Sequence, residues 1–213
     1  MTWADRSRAR IAQLWATQTD GAHDMGHLDR VWRACRLIAM DEPADPDILG
    51  PAAYFHDAVN LPKNSPHRAT ASRQSADLAV AELTAMGYPQ AKLAPLHHAI
   101  LAHSFSANIP PETPEARILQ DADRLEALGA IGIARMFLIS GQMGGGLFDA
   151  ADPMALNRPL DDKRFALDHI EVKLVRLVDT MQTATGRAMA AERLEWMESF
   201  RTRLLAEIGK SGF

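Results

Sequence analysis

The run Tyr54-Phe55-His56-Asp57 ends an apolar stretch in an adjacent imidazole and carboxylate. These are two kinds of metal ligand, one borderline and one hard. A carboxylate is costly to bury beside Ala52, Ala53, Tyr54 and Phe55 without a partner. Alone, the pair reads better as a helix C-terminus, with His56 capping carbonyls and Asp57 opening a turn. Other donors change that balance. His23 and His27 stand four residues apart, so in a helix they share one side. Asp121 and Asp123 lie in an apolar helical pattern. Two imidazoles with two carboxylates suit a divalent transition metal with open positions left for water.

Helical periodicity places these donors. Thr2 to about Thr17 reads as a first helix, capped by Thr2, with Ile11, Leu14 and Trp15 as its stripe. A second runs from about Asp24 to Met40 with Leu28, Val31, Cys35 and Ile38 inward, and ends at Asp41-Glu42-Pro43. A third begins near Pro46-Asp47, or later with Pro51 in its first turn, and closes at His56-Asp57. The turn-rich stretch Asn60 to Pro66 carries Lys63, and His67 and Arg68 follow it. Helices over about Ala69–Met86 and Gln90–Ala102 come next, the latter with His97 and His98 and followed by His103.

Thr113-Pro114 is a cap followed by Pro at the first helical position. The pattern predicts one helix from there through Ile133, placed centrally because Ala122, Ala127, Gly129, Ala130 and Gly132 permit close approach. Gly141 to about Lys163 is irregular. Its Gly144-Gly145-Gly146 is no P-loop, because no Lys-Ser/Thr follows; it reads as a flexible loop or a lid. Two stripes close the chain: Ile170, Leu174, Leu177 and Met181, then Met189, Trp196, Phe200, Leu204 and Ile208. No alternating strand pattern occurs. The expectation is an all-α single domain over 1–213, with a core at about 20–135 and C-terminal helices at about 165–208 packed on it.

A chain of 213 residues with 47% apolar content supports a sizeable core. A formal charge of −4 argues against non-specific nucleic-acid binding, which needs excess Lys and Arg. Cys35, the single cysteine, forms no intramolecular disulfide and sits among apolar neighbours, as a core residue in a reducing compartment does. The polar start lacks a signal-peptide pattern, and no run of about 18 apolar residues spans a membrane. The cytoplasm is the expected setting.

His27-Leu28-Asp29-Arg30-Val31, then His56-Asp57, then Ala122-Asp123-Arg124-Leu125 resembles the HD superfamily of metal-dependent phosphohydrolases, helical proteins with the pattern H…HD…D. His23-Asp24-Met25-Gly26-His27, His103-Ser104-Phe105 and the run from Ile118 to Gly132 are similar to the YpgQ/YedJ-like bacterial subfamily. The resemblance implies His27, His56, Asp57 and Asp123 as metal ligands. His23 competes with His27; the apolar stretch with Val31 favours His27. Asp121 competes with Asp123; the Ala-Asp-Arg-Leu setting favours Asp123.

The implied chemistry is hydrolysis by a water activated on a divalent ion (Mn, Mg, Co, Ni, Fe or Zn), attacking phosphorus in line. His56, Asp57 and Arg124 are the catalytic candidates, with Asp57 both ligand and orienter of the water. His23, Arg30, Lys63, Arg68, His98 and His103 are the candidate substrate contacts, with Arg73 a further cation. The resemblance points to a nucleoside triphosphate split to monophosphate and diphosphate. The rivals are a phosphomonoesterase or phosphodiesterase at the same site, and a nucleotide-binding sensor without turnover. The expected partner is a small phosphate-bearing substrate, with neither nucleic acid nor membrane, and a homodimer is compatible with it.

Overall fold

The computed structural model describes residues 1–16, 24–60, 70–104 and 107–209. Eight α-helices are found there: α1 Trp3–Leu14, α2 Met25–Ile38, α3 Pro46–Phe55, α4 Ala71–Ala85, α5 Leu93–His103, α6 Pro114–Leu125, α7 Gly129–Gln142 and α8 Ala184–Glu207. The chain is all-α. Among the described residues, β-pairing is limited to one isolated bridge between Gly146 and Phe165. No described helix is long and apolar enough to cross a membrane. The chain forms two compact units, Met1–Asp123 and Arg124–Phe213.

In the first unit, α3 packs against α1, α2 and α5, and α4 against α5. Every residue of α3 from Ile48 to Phe55 is buried, as a helix enclosed on all sides requires. Its entry is capped by Asp45, which accepts the Asp47 N–H at 2.9 Å, with Pro46 at the first position. The helix therefore starts at Pro46 and takes Pro51 into its interior. Pro51 has no N–H to give the carbonyl four residues back, that of Asp47. The Tyr88 hydroxyl donates to that carbonyl instead, at 2.8 Å. Gly50 lets α1 come close, since a Cβ there would stand 2.7 Å from the Cβ of Ala4.

The other starts follow from their caps. Thr2 and Asp5 exchange hydrogen bonds in a capping box at α1. Asp24 caps α2 and accepts the His27 N–H at 2.8 Å. At α6, Thr113 Oγ1 accepts the Ala116 N–H at 3.2 Å.

In the second unit, α7 packs on α8. The single helix expected from Pro114 through Ile133 is two. It breaks at Glu126–Leu128, and Gly129 opens α7 with φ +72°, a left-handed conformation that favours glycine. The stripe at Ile170–Met181 is not a regular α-helix either. A π-helical turn over Ile170–Leu174 runs into a 3-10 stretch over Val175–Thr180. Inside Gly141–Lys163, α7 continues to Gln142 and the remainder is turns, bends and the bridge residue Gly146. There Arg158 lies over the Phe165 ring and pairs with buried Asp168 at 2.5 and 2.9 Å.

Candidate metal centre

Four helix ends converge in the first unit: the start of α2, the close of α3, the end of α5 and the last turn of α6. They bring His27, His56 with Asp57, His103 and Asp123 together. The Nε2 atoms of His27 and His56 stand 3.3 Å apart. Asp57 Oδ2 lies 3.7 Å from each of them. Asp123 Oδ1 lies 3.7 Å from His27 Nε2 and 3.6 Å from His56 Nε2. His103 Nε2 lies 3.6 Å from the other Asp57 oxygen, Oδ1. Its ring stands edge-on to His56 with centroids 4.8 Å apart.

Local structure fixes each group. His56 is the C-cap of α3, and its Nδ1 donates to the Ala53 carbonyl at 2.8 Å. A carbonyl only accepts, so Nδ1 carries the proton and Nε2 faces the cluster. His103 repeats the device, with Nδ1 donating to Ile100 O at 2.5 Å. The turn after His56 is pinned from two sides. Trp15 Nε1 donates to Ala58 O at 3.2 Å, and Ser75 Oγ accepts the Val59 N–H at 3.0 Å. Gln120 Nε2 donates to Ala102 O at 2.8 Å and ties α6 to the end of α5. Sequence reasoning missed Gln120, Ser75 and Trp15 as supports, because nothing local in the chain announces which turn they meet.

The electrostatics are those of a cation site. His27 and His56 are buried, while the Asp57 and Asp123 side chains keep 18% and 30% of their surface, so one side of the cluster is open. Burial pushes both carboxyls up, but their histidine neighbours outweigh it. His56 and His103 hold Asp57 well below the usual carboxylate range, and His56 does the same for Asp123. Burial works to lower His56, and the charges of Asp57 and Asp123 outweigh it and push it up to about 9. Donor atoms about 2.1 Å from a common centre lie roughly 3.0 Å apart at right angles and about 3.4 Å at tetrahedral angles. The observed separations of 3.3 to 3.7 Å fit that spacing with slight expansion. Two imidazole nitrogens, two ionised oxygens and an open side suit a divalent ion of the first transition row.

The remaining candidates are placed as follows. Asp121 is fully buried and is not a donor in either converging group. Arg30 folds back beside the α2 cap: a Cβ on Gly26 would meet both Arg30 Nη1 and Asp24 Oδ1 at 3.2 Å. Arg73 is exposed on α4. His98 Nε2 accepts the Glu112 N–H at 3.0 Å, outside the cluster. Arg124 Nη1 donates to Thr180 O at 2.5 Å. His23, Lys63 and Arg68 lie outside the described residues. Cys35 is buried, and burial, helped by the charges of Asp123 and Asp121, pushes its thiol up, as befits an inert core residue.

Comparison with known proteins gives a consistent picture. The family model described as HD domain matches residues 25–128, which include all five converging side chains. The chain is 30% identical to YpgQ of Bacillus subtilis (strain 168), over 96% of this chain and 93% of that one. The crystal structure of Bacillus subtilis YpgQ in complex with ADP superposes with a TM-score of 0.75 at 32% identity, covering 98% of this chain and 100% of that one. A crystal structure of an HD-superfamily hydrolase from Bacillus thuringiensis gives a TM-score of 0.74 at 26% identity, covering 96% and 95% of the two chains.

Proposed function

The chain belongs to the HD-domain family and is a metal-dependent phosphohydrolase, and on that premise we propose that it hydrolyses nucleoside triphosphates to monophosphate and diphosphate. The reading takes His27, His56, Asp57 and Asp123 as the ligands of one divalent cation. The observation that carries it is the meeting of these four donor atoms at 3.3 to 3.7 Å from three separate helix ends. The ADP seen with YpgQ supports a nucleotide as the phosphate carrier.

A divalent ion held there lowers the pKa of water toward neutrality and offsets charge on phosphate oxygens. The protein's own residues do the rest. The Ala53 carbonyl holds His56 in the tautomer that offers Nε2. Asp57 turns one oxygen to the two imidazoles and the other toward His103, so it can orient a water on the open side. His103 Nε2, held by Ile100, stands ready to accept a hydrogen bond from that water.

Product analysis tests the reading. Purified protein with Mn²⁺ is given nucleoside triphosphates, monoesters and diesters, and diphosphate is assayed apart from orthophosphate. Nucleoside monophosphate with diphosphate is the expected result. Orthophosphate alone from monoesters would replace it with a phosphomonoesterase, and no turnover with bound nucleotide would replace it with a sensor.

A further inference from the structure

The last turn of α6 is held by two arginines. Arg124 Nη1 donates to the Thr180 carbonyl, and Arg193 Nη1, from α8, donates to the Leu125 carbonyl, both at 2.5 Å. A helix end leaves its final carbonyls without intrahelical partners and tends to fray. Here Arg124 O and Leu125 O accept the N–H groups of Ala127 and Leu128 at 3.1 Å, and Arg193 adds a third contact. The stem of Arg193 lies over the following turn, where a Cβ on Gly129 would stand 3.3 Å from its Cγ. The segment that receives Arg124 is itself fixed. Gln182 Nε2 donates to the same Thr180 carbonyl at 2.9 Å, and Arg187 Nη2 donates to Met181 O at 2.8 Å. Thr183 then caps α8 by accepting the Gly186 N–H at 2.9 Å.

Asp123 immediately precedes Arg124. Its Oδ1 holds its place against two imidazoles from a helix turn that would otherwise be the loosest of α6. We propose that Arg124 and Arg193 are positioning residues that act through Asp123: they lock the last turn of α6 and keep the Asp123 carboxylate aligned with His27 and His56. This rests on the reading of Asp123 as a metal ligand. It gives the Arg124 guanidinium a backbone carbonyl as its working partner in place of a substrate phosphate.

The test uses the full chain. Arg124→Met and Arg193→Met keep the stems and remove the donors; Arg124→Lys and Arg193→Lys restore a cation with less disturbance of the fold. Mn²⁺ affinity is read by calorimetry, and amide hydrogen exchange over residues 122–128 is read on metal-free protein. Each Met variant is expected to bind Mn²⁺ about tenfold more weakly, as loss of an outer support typically does, with faster exchange over that turn. The Lys variants recover part of the affinity, and kcat of Arg193→Met at saturating Mn²⁺ stays close to wild type. Unchanged Mn²⁺ affinity with only a lower melting temperature overturns the proposal. So does lost turnover at saturating Mn²⁺, which would put Arg124 on the substrate. If wild type binds no Mn²⁺, the ligand reading of Asp123 falls; unchanged exchange over 122–128 would instead refute the lock itself.

Discussion

His27 and His56 face each other through their Nε2 atoms at 3.3 Å, brought together from α2 and the end of α3. Two neutral imidazoles so arranged with both lone pairs inward would repel. In the metal-free protein a proton on His56 relieves that clash, and Asp57 and Asp123 hold it there. The centre thus keeps a proton where a cation would bind.

Metal binding is therefore expected to release a proton. His56 sits at about 9 in the metal-free protein, so it is charged at pH 7 and must give up its Nε2 proton to ligate. Affinity should rise with pH and level off above about 9. Calorimetry at pH 7 in buffers of different ionisation enthalpy should return about one proton per ion. No release would mean that His56 is not a ligand.

The same shift sets a slope in stability. A group whose pKa is raised on folding contributes fully below its unfolded value and loses that contribution as pH climbs through the folded one. Metal-free protein should accordingly lose several degrees of melting temperature as pH rises from the ordinary 6.5 of histidine to about 9. His56→Asn should flatten that slope, and saturating Mn²⁺ should remove it. A melting temperature that rises over this range would contradict the charge pairing.

Tyr88→Phe isolates the proline in α3. It keeps the ring, which meets Trp3 edge-on with centroids 4.8 Å apart, and deletes the donor to Asp47 O. A half-buried carbonyl left unpaired costs up to about 1–3 kcal/mol, to be read by chemical denaturation. No loss would mean that the carbonyl finds water unaided.

Two glycines of α7 should respond oppositely. A Cβ on Gly132 would stand 2.3 Å from the Ala127 carbonyl oxygen, so Gly132→Ala should destabilise by roughly 1–3 kcal/mol. A Cβ on Gly141 meets nothing within 4 Å, so Gly141→Ala should stabilise by up to about 1 kcal/mol. Paired denaturation curves check both, and equal effects would undo the account of the α6–α7 turn.

What the chain revealed on inspection was mostly local. Asp24 and Thr113 are caps whose chemistry lies within three residues of the helices they start, so those starts were readable, whereas two prolines left the start of α3 open between Pro46 and Pro51 until the Asp45 cap decided it. The apolar stripe of α2 was equally plain. Gly129 was visible but ambiguous: small residues signal both close packing and a break, and only the +72° dihedral decides. The spacing of Ile170, Leu174, Leu177 and Met181 suits an α-helix as well as the π and 3-10 turns found. The meeting of His103 with His56, of Tyr88 with Asp47 and of Arg124 with Thr180 joins residues 41 to 56 positions apart. Such contacts are products of packing and leave no local signature.

The most direct test of the central claim is a Mn²⁺ titration of wild type and Asp57→Ala side by side, with bound metal and released diphosphate both measured on a nucleoside triphosphate. The account predicts that wild type gains diphosphate release as Mn²⁺ binds, and that Asp57→Ala, still folded, loses metal and turnover together. Full hydrolysis by Asp57→Ala would contradict it.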